Sequence, residues 1–160
     1  MAVVDMFLKL DGVDGESQDK DHKNEIQILG FKLSARSPRD ASTGQATGKV
    51  RFTNLTILAH VDKSTAKLFQ KLCMNEKIPS AILSCRKAGQ EQFLYFKVTL
   101  SDCFLARVEV GTGGGDGSAV IPPCEFDVEF GKIEVESKEQ VSTGPTSGPV
   151  KAMYDLRANK

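Results

Sequence analysis

The sequence predicts a mainly β domain, a small barrel or sandwich with one attached helix. Three observations carry this. Apolar and polar residues alternate over much of the chain, as in Phe126, Val128 and Phe130 against Glu125, Asp127 and Glu129. Only one stretch, 63–74, places apolar residues at helical spacing. The alternation also changes parity at Gly30 and Gly131, where a bulge would bend a strand as barrels and corner-turning sheets require.

Taken in order, residues 3–10 read as a first strand. Met6, Phe7 and Leu8 run together there, which suits a strand covered on both faces. Residues 11–24 are polar, contain Gly12 and Gly15, and read as a long surface loop. Residues 25–35 form a second strand, with Ile26 and Ile28 on one face and Phe31 and Leu33 at the opposite parity. The stretch 37–48 has Pro38, many Ser, Thr and Gly, and no large apolar residue. It reads as a mobile, extended loop, and loops of that length are usually functional or disordered.

A third strand covers 49–58, with Val50 and Phe52 alternating against Lys49, Arg51 and Thr53. The helix follows over 63–74. Asp62 is its N-cap, because its carboxylate can accept from free backbone N–H groups. Leu68, Phe69, Leu72 and Cys73 form the apolar stripe, and Pro79 prevents continuation. Residues 81–87 and 92–105 read as a hairpin around 88–91, with Leu94, Phe96, Val98 and Leu100 on one face. The glycine run at 111–117 is a flexible linker. Residues 125–136 alternate strongly, 141–149 are turn-rich, and 150–156 form a closing strand. The count is about eight strands and one helix, arranged as one domain over 1–160.

Composition excludes several functions. The 160 residues carry 21 basic and 21 acidic side chains. Nucleic-acid binding normally needs a basic excess, so no nucleic-acid partner is expected. The start of the chain has Asp5 and Lys9 inside its apolar run, so no signal peptide is read there. No apolar run reaches the length of a membrane span, and no membrane insertion is expected. Cys73, Cys85, Cys103 and Cys124 contain no C-x-x-C pair, and they read as buried free thiols from a reducing site of synthesis.

Catalytic and cofactor signals are weak. The only histidines are His22 and His60. His22 lies in a charged loop and reads as solvated, while His60 reads as making a local hydrogen bond beside Asp62. Neither is accompanied by a nucleophile motif. The glycine run lacks the following Lys-Ser or Lys-Thr of a phosphate loop. Glu125, Asp127, Glu129, Glu134 and Glu136 alternate with apolar residues, as on a solvated strand face or a charged subunit interface. No catalytic residue, cofactor or metal site is expected, and the chain reads as a non-enzyme that works by assembly.

Several segments together resemble the Hcp family, the haemolysin-coregulated proteins of type VI secretion. They are MAVVDMFLKLDGVDGES, EIQILGFKL, the helix start at Asp62-Lys63-Ser64-Thr65, SCRKAGQEQFLYFKV and GPVKAMYDLRANK. Each is weak alone, but their order and spacing span the chain. The resemblance implies two packed antiparallel sheets forming a small barrel with one helix at its side, a fold similar to phage tail-tube proteins. It implies homohexameric rings that stack into a tube inside a contractile sheath, capped by a VgrG-type spike. Contraction would expel the tube, with effectors carried in the lumen. The protein would be made in the bacterial cytoplasm and exported without a signal peptide. With the family's closing strand ending at Lys160, no enzymatic extension is expected.

By the same resemblance, loop 37–48 would contact the adjacent ring, through Arg36, Arg39, Asp40 and Gln45. Gln27, Lys32 and Ser34 on the second strand would face the lumen. Phe31-Lys32-Leu33 stands where other members carry Trp-Ser-Trp, so Lys32 would make that ring of positions cationic and favour acidic cargo. A tail-tube protein of another contractile injection system is the alternative within this fold. A monomeric β domain with enzymatic function is the alternative outside it.

Overall fold

A computed structural model describes residues 4–87, 93–112, 121–138 and 148–160. Its elements, in order, are β1 (Val4–Leu10), β2 (Ile26–Lys32), β3 (Ala35–Arg36), β4 (Arg51–Phe52), β5 (Leu55–His60), α1 (Ser64–Cys73), β6 (Ile78–Lys87), β7 (Phe93–Val110), β8 (Pro123–Glu129), β9 (Lys132–Ser137) and β10 (Val150–Asp155). No helix among the described residues is long and apolar enough to cross a membrane. The expected hairpin turn at 88–91, most of the glycine run, and most of 141–149 lie outside the described residues.

Eight strands form one sheet in the order β10-β9-β7-β6-β1-β2-β5-β8, and β8 pairs back onto β7. The circuit β7-β6-β1-β2-β5-β8 therefore closes into an antiparallel barrel. Closure removes the exposed edges that an open sheet would present. β9 and β10 extend the first half of β7 beyond the barrel. Alternation places Leu8, Ile26, Ile57, Leu83, Val98, Leu100, Phe126 and Val128 in the interior, all essentially fully buried. Each such side chain contributes roughly 1.5–3 kcal/mol on burial.

The bulge expected at Gly30 is present: the β2–β5 register shifts between Ile28 and Gly30. Gly131 behaves differently. Ser101 pairs with Lys132 and Phe104 with Glu129, so one register runs through the corner without an inserted residue. Both strands change parity together instead. Val98 and Leu100 face the core before the corner, Cys103 and Leu105 after it. On the opposing chain Phe130 and Ile133 make the same switch. Asp102, with φ of 55°, takes the strain in β7. Gly131 lies against it, and a Cβ there would stand 3.3 Å from the Asp102 Cβ.

Two long strands of the sequence reading are each divided. The 25–35 stretch breaks into β2 and β3, and 49–58 into β4 and β5. The short pieces leave the barrel because they pair with one another: Ala35 with Phe52, and Arg36 with Arg51. The described residues thus contain ten strands rather than eight.

The helix starts one residue later than expected, at Ser64 with Lys63 rather than Asp62 in the cap position, but Asp62 still serves its first turn. The Asp62 carboxylate accepts the Ser64 backbone N–H at 2.8 Å, and Thr65 Oγ1 accepts the Asp62 N–H at 3.2 Å. This reciprocal pairing satisfies donors that the first turn leaves open. At the other end Asn75 adopts φ of 48° and donates to the Leu72 carbonyl, while Glu76 donates to Lys71. That Schellman arrangement ends the helix before Pro79 is reached. The apolar stripe is narrower than expected. Leu68 is buried and Leu72 half-buried, but Phe69 and Cys73 are exposed. The helix packs against β7.

Candidate functional site

The two ends of β2 lead to contrasting surfaces. The chain before Ile26 is the 11–25 loop, and the chain after Lys32 is the arm that carries β3 and β4. The two ends of this seven-residue strand are about 20 Å apart, and the 11–25 loop folds back from its end along the barrel as far as Arg86.

The arm is shaped by its own hydrogen bonds. Arg39 and Ala46 form a β-bridge. Asp40 N donates to the Gln45 carbonyl and Thr47 N to the Pro38 carbonyl, each at 2.9 Å. The Asp40 carboxylate accepts from Ser42 Oγ and from the backbone N–H groups of Ser42 and Thr43. These donors hold its pKa at about 2, with Ser42 Oγ the largest contributor. Arg39 Nη1 donates to the Gly44 carbonyl at 2.9 Å. At the base, Ser34 N donates to Thr53 Oγ1 at 3.1 Å. Phe52 packs edge-on against Phe130 at 5.9 Å and tilted against Tyr154 at 5.7 Å, which anchors the arm to the barrel.

Arg36, Arg39, Asp40 and Gln45 are all exposed on this arm. Their roles divide. Arg39 and Asp40 shape the tip, and the Gln45 carbonyl closes it, whereas Arg36 stands on the ribbon opposite Arg51. Gln27, Lys32 and Ser34 are also exposed, at the start, the end and just beyond β2. Gln27 lines a cleft with Glu16, His60, Asp62 and Ile121. Ser34 is engaged with Thr53.

The 11–25 loop is held against the barrel by a cluster that the sequence reading missed. Arg86, on β6, is 4% exposed and forks onto Asp19 through Nη1 and Nη2, the first at 3.1 Å. Asp5 and Asp21 stand at 3.5 and 3.8 Å from the guanidinium. Arg86 also lies 5.1 Å from the centroid of the Phe7 ring, and His22 stacks on Phe7 at 4.4 Å. His22 Nδ1 is 2.7 Å from Glu25 Oε2, so this histidine is packed rather than solvated. His60 is exposed, and the Asp62 carboxylate is spent on the helix start rather than on it. The signal available for Arg86 was an arginine directly after the run Ala81–Cys85, whose one polar residue is Ser84.

On the outer face of β5, β8 and β7, Arg107 bonds Asp127 through Nε at 3.0 Å and Nη2 at 3.2 Å, and also reaches Glu109 and Glu125. Thr56 Oγ1 donates to the same Asp127 at 2.9 Å. The alternating acids of this strand are thus partly neutralised in a surface network. Cys85, Cys103 and Cys124 are buried, and burial raises their thiol pKa values, to about 11 for Cys85 and about 12 for Cys103. Cys73 alone is exposed, which corrects the expectation of four buried thiols.

Comparison with known proteins gives a consistent picture. A family profile described as "Type VI secretion system effector, Hcp" matches residues 7–137. Protein hcp1 of Pseudomonas aeruginosa is 32% identical over 160 residues, covering 98% of this chain and 97% of that protein. The crystal structure of Hcp1 from Salmonella typhimurium superposes with a TM-score of 0.79 at 32% identity, over 100% of this chain and 99% of that one. A structure described as a type six secretion system protein reaches a TM-score of 0.90 at 24% identity, with 99% of each chain covered, and shares the fold.

Proposed function

This chain belongs to the Hcp family of type VI secretion proteins, and from that premise we propose that it is the structural subunit of the secretion tube rather than an enzyme. Six copies form a ring, and rings stack into a tube that sheath contraction expels. Its partners are other copies of itself, a VgrG-type spike, the sheath and the effectors carried in the lumen. The protein is made in the cytoplasm and leaves the cell with the tube.

The observation that carries the reading beyond the family is the ordered, exposed arm. The excursion between β2 and β5, residues 33–54 with β3 and β4 inside it, adds little to the barrel core, yet its hydrogen bonds and Phe52 fix its shape. A fixed polar projection suits a contact that must form in assembly and release afterwards. A ring needs a heterologous contact, one patch meeting a different patch on the neighbour, and stacking leaves the axial direction open. Arg36, Arg39, Asp40 and Gln45 are assigned to ring stacking, directly or by shaping the tip. Gln27, Lys32 and Ser34 are assigned to the lumen, with Lys32 favouring acidic cargo.

Light scattering with negative-stain imaging tests the assignment. A species of six times 17.4 kDa with annular particles is expected. A 17.4 kDa monomer that also fails to bind sheath and spike proteins would overturn it. Lys32→Glu is expected to lower retention of an acidic effector, and unchanged retention would remove Lys32 from the lumen.

A further inference from the structure

The arm carries Arg36, Arg39, Lys49 and Arg51 against Asp40 alone. Two of these arginines, Arg36 and Arg51, are directly opposed across the β3–β4 ribbon. Residues directly opposite in an antiparallel pair share a face, and like charges there repel. Their neighbours Ala35 and Phe52 occupy the other face, and Phe52 turns that face toward Phe130 and Tyr154. The arginine pair therefore points away from the barrel. Both are exposed, and neither has an ion-pair partner among the described residues. A ribbon this short gains nothing from two opposed guanidinium groups unless an anion bridges them.

The opposite end of the barrel supplies carboxylates. Asp14 and Glu16 lie there, whereas Asp19 and Asp21, farther along the loop, are taken up by Arg86 level with the middle of β2, and Glu25 by His22. Asp14 and Glu16 remain exposed, without an ion-pair partner among the described residues. Their placement is fixed by the residue between them. Gly15 N donates to the Asn24 carbonyl at 2.8 Å, and Ser17 N donates to the Glu25 carbonyl at 3.1 Å. Gly15 approaches the chain so closely that a Cβ would lie 2.5 Å from the Glu25 carbonyl oxygen. Glu16 also edges the cleft that contains exposed Leu29 and Ile121.

We propose that the opposed Arg36 and Arg51 of one copy receive the Asp14 and Glu16 carboxylates of a second copy, joining the arm end of one barrel to the loop end of the next. The inference rests on the tube reading and names the partner surface of the arm. The chemistry suits it, because guanidinium groups take carboxylates in a forked, directional pair. Both surfaces are held in place before they meet, which lowers the ordering cost of the contact. The patches lie at opposite ends of the same strand, so the contact is head-to-tail and repeats without closing. Ion pairs at such a rim set register and weaken with salt.

A charge exchange tests this, using the full chain at high concentration, with stack length read by negative-stain microscopy and sedimentation. Asp14→Arg with Glu16→Arg, and separately Arg36→Glu with Arg51→Glu, are each expected to leave rings intact and to shorten stacks by roughly tenfold. The fourfold variant, in which both surfaces are reversed, is expected to recover wild-type length. Stacks of wild-type length in either double variant overturn the contact, as does a fourfold variant no better than the doubles. Wild-type rings that stay single under the same conditions also overturn it, while leaving the ring standing. A wild-type chain that forms no ring overturns the tube reading itself.

Discussion

Arg86 and Asp19 are separated by 67 residues in sequence, yet the guanidinium of one forks onto the carboxylate of the other beneath the 11–25 loop. The arginine is almost fully buried, and its cost of desolvation is met by Asp19, with Asp5 and Asp21 near by and the Phe7 ring beneath. The pair ties the loop to β6. Asp19→Asn is expected to destabilise the fold by about 2 kcal/mol, the scale of a charge-assisted hydrogen bond, as measured by urea unfolding. The Arg86 hydrogen bond lowers the Asp19 pKa. A lowered folded-state pKa gives stability that is complete above the ordinary carboxylate range and is lost as pH falls through the folded value. The gap between wild type and Asp19→Asn is therefore expected to be full at neutral pH and to narrow below about pH 4. A gap independent of pH would remove this role from Asp19.

Gly15 makes the same loop possible from the other side. A methyl group there meets backbone of Glu25 and Ile26, which no side-chain rotation can relieve. Gly15→Ala is expected to cost about 1–3 kcal/mol, because overpacking forces the backbone to move. Unfolding midpoints unchanged from wild type would show that the loop can shift freely.

Phe52 links the arm to the barrel. Phe52→Ala is expected to leave the barrel folded, with its far-ultraviolet circular dichroism nearly unchanged, and to loosen the arm. Limited trypsin digestion should then cut at Arg36, Arg39, Lys49 or Arg51 at least several-fold faster than in wild type. Equal cutting rates would mean that the arm's own hydrogen bonds suffice to hold it.

The thiols should separate by location. Cys73 is exposed, while Cys85, Cys103 and Cys124 are buried with raised pKa values. Only thiolate reacts readily, so a maleimide at neutral pH should label one thiol per native chain and four after denaturation. Labelling lost in Cys73→Ser completes the assignment, and labelling of a second thiol in the native protein would contradict the burial.

The sequence by itself determined the β-rich class, the helix with its Asp62 start, the Gly30 bulge and the core positions on alternating strands. These are local properties. Apolar alternation, a capping carboxylate and a glycine within a strand act over a few residues, and nothing distant overrides them here. The family resemblance was legible for the same reason, since its motifs are short segments in a fixed order. Tertiary structure alone decided the rest. Closure of the barrel depends on β8 pairing back onto β7, and the joint parity switch at Asp102 and Gly131 exists only because β7 faces the chain that runs from β8 into β9. The polar stretch after β2 became an arm because Ala35 and Arg36 found Phe52 and Arg51, and Phe52 found Phe130 and Tyr154. His22 looked solvated and is packed, and Arg86 looked like an interruption in a strand and is the anchor of a loop. Burial and ion pairing depend on which distant residues arrive alongside, and a one-dimensional pattern holds no record of that arrival.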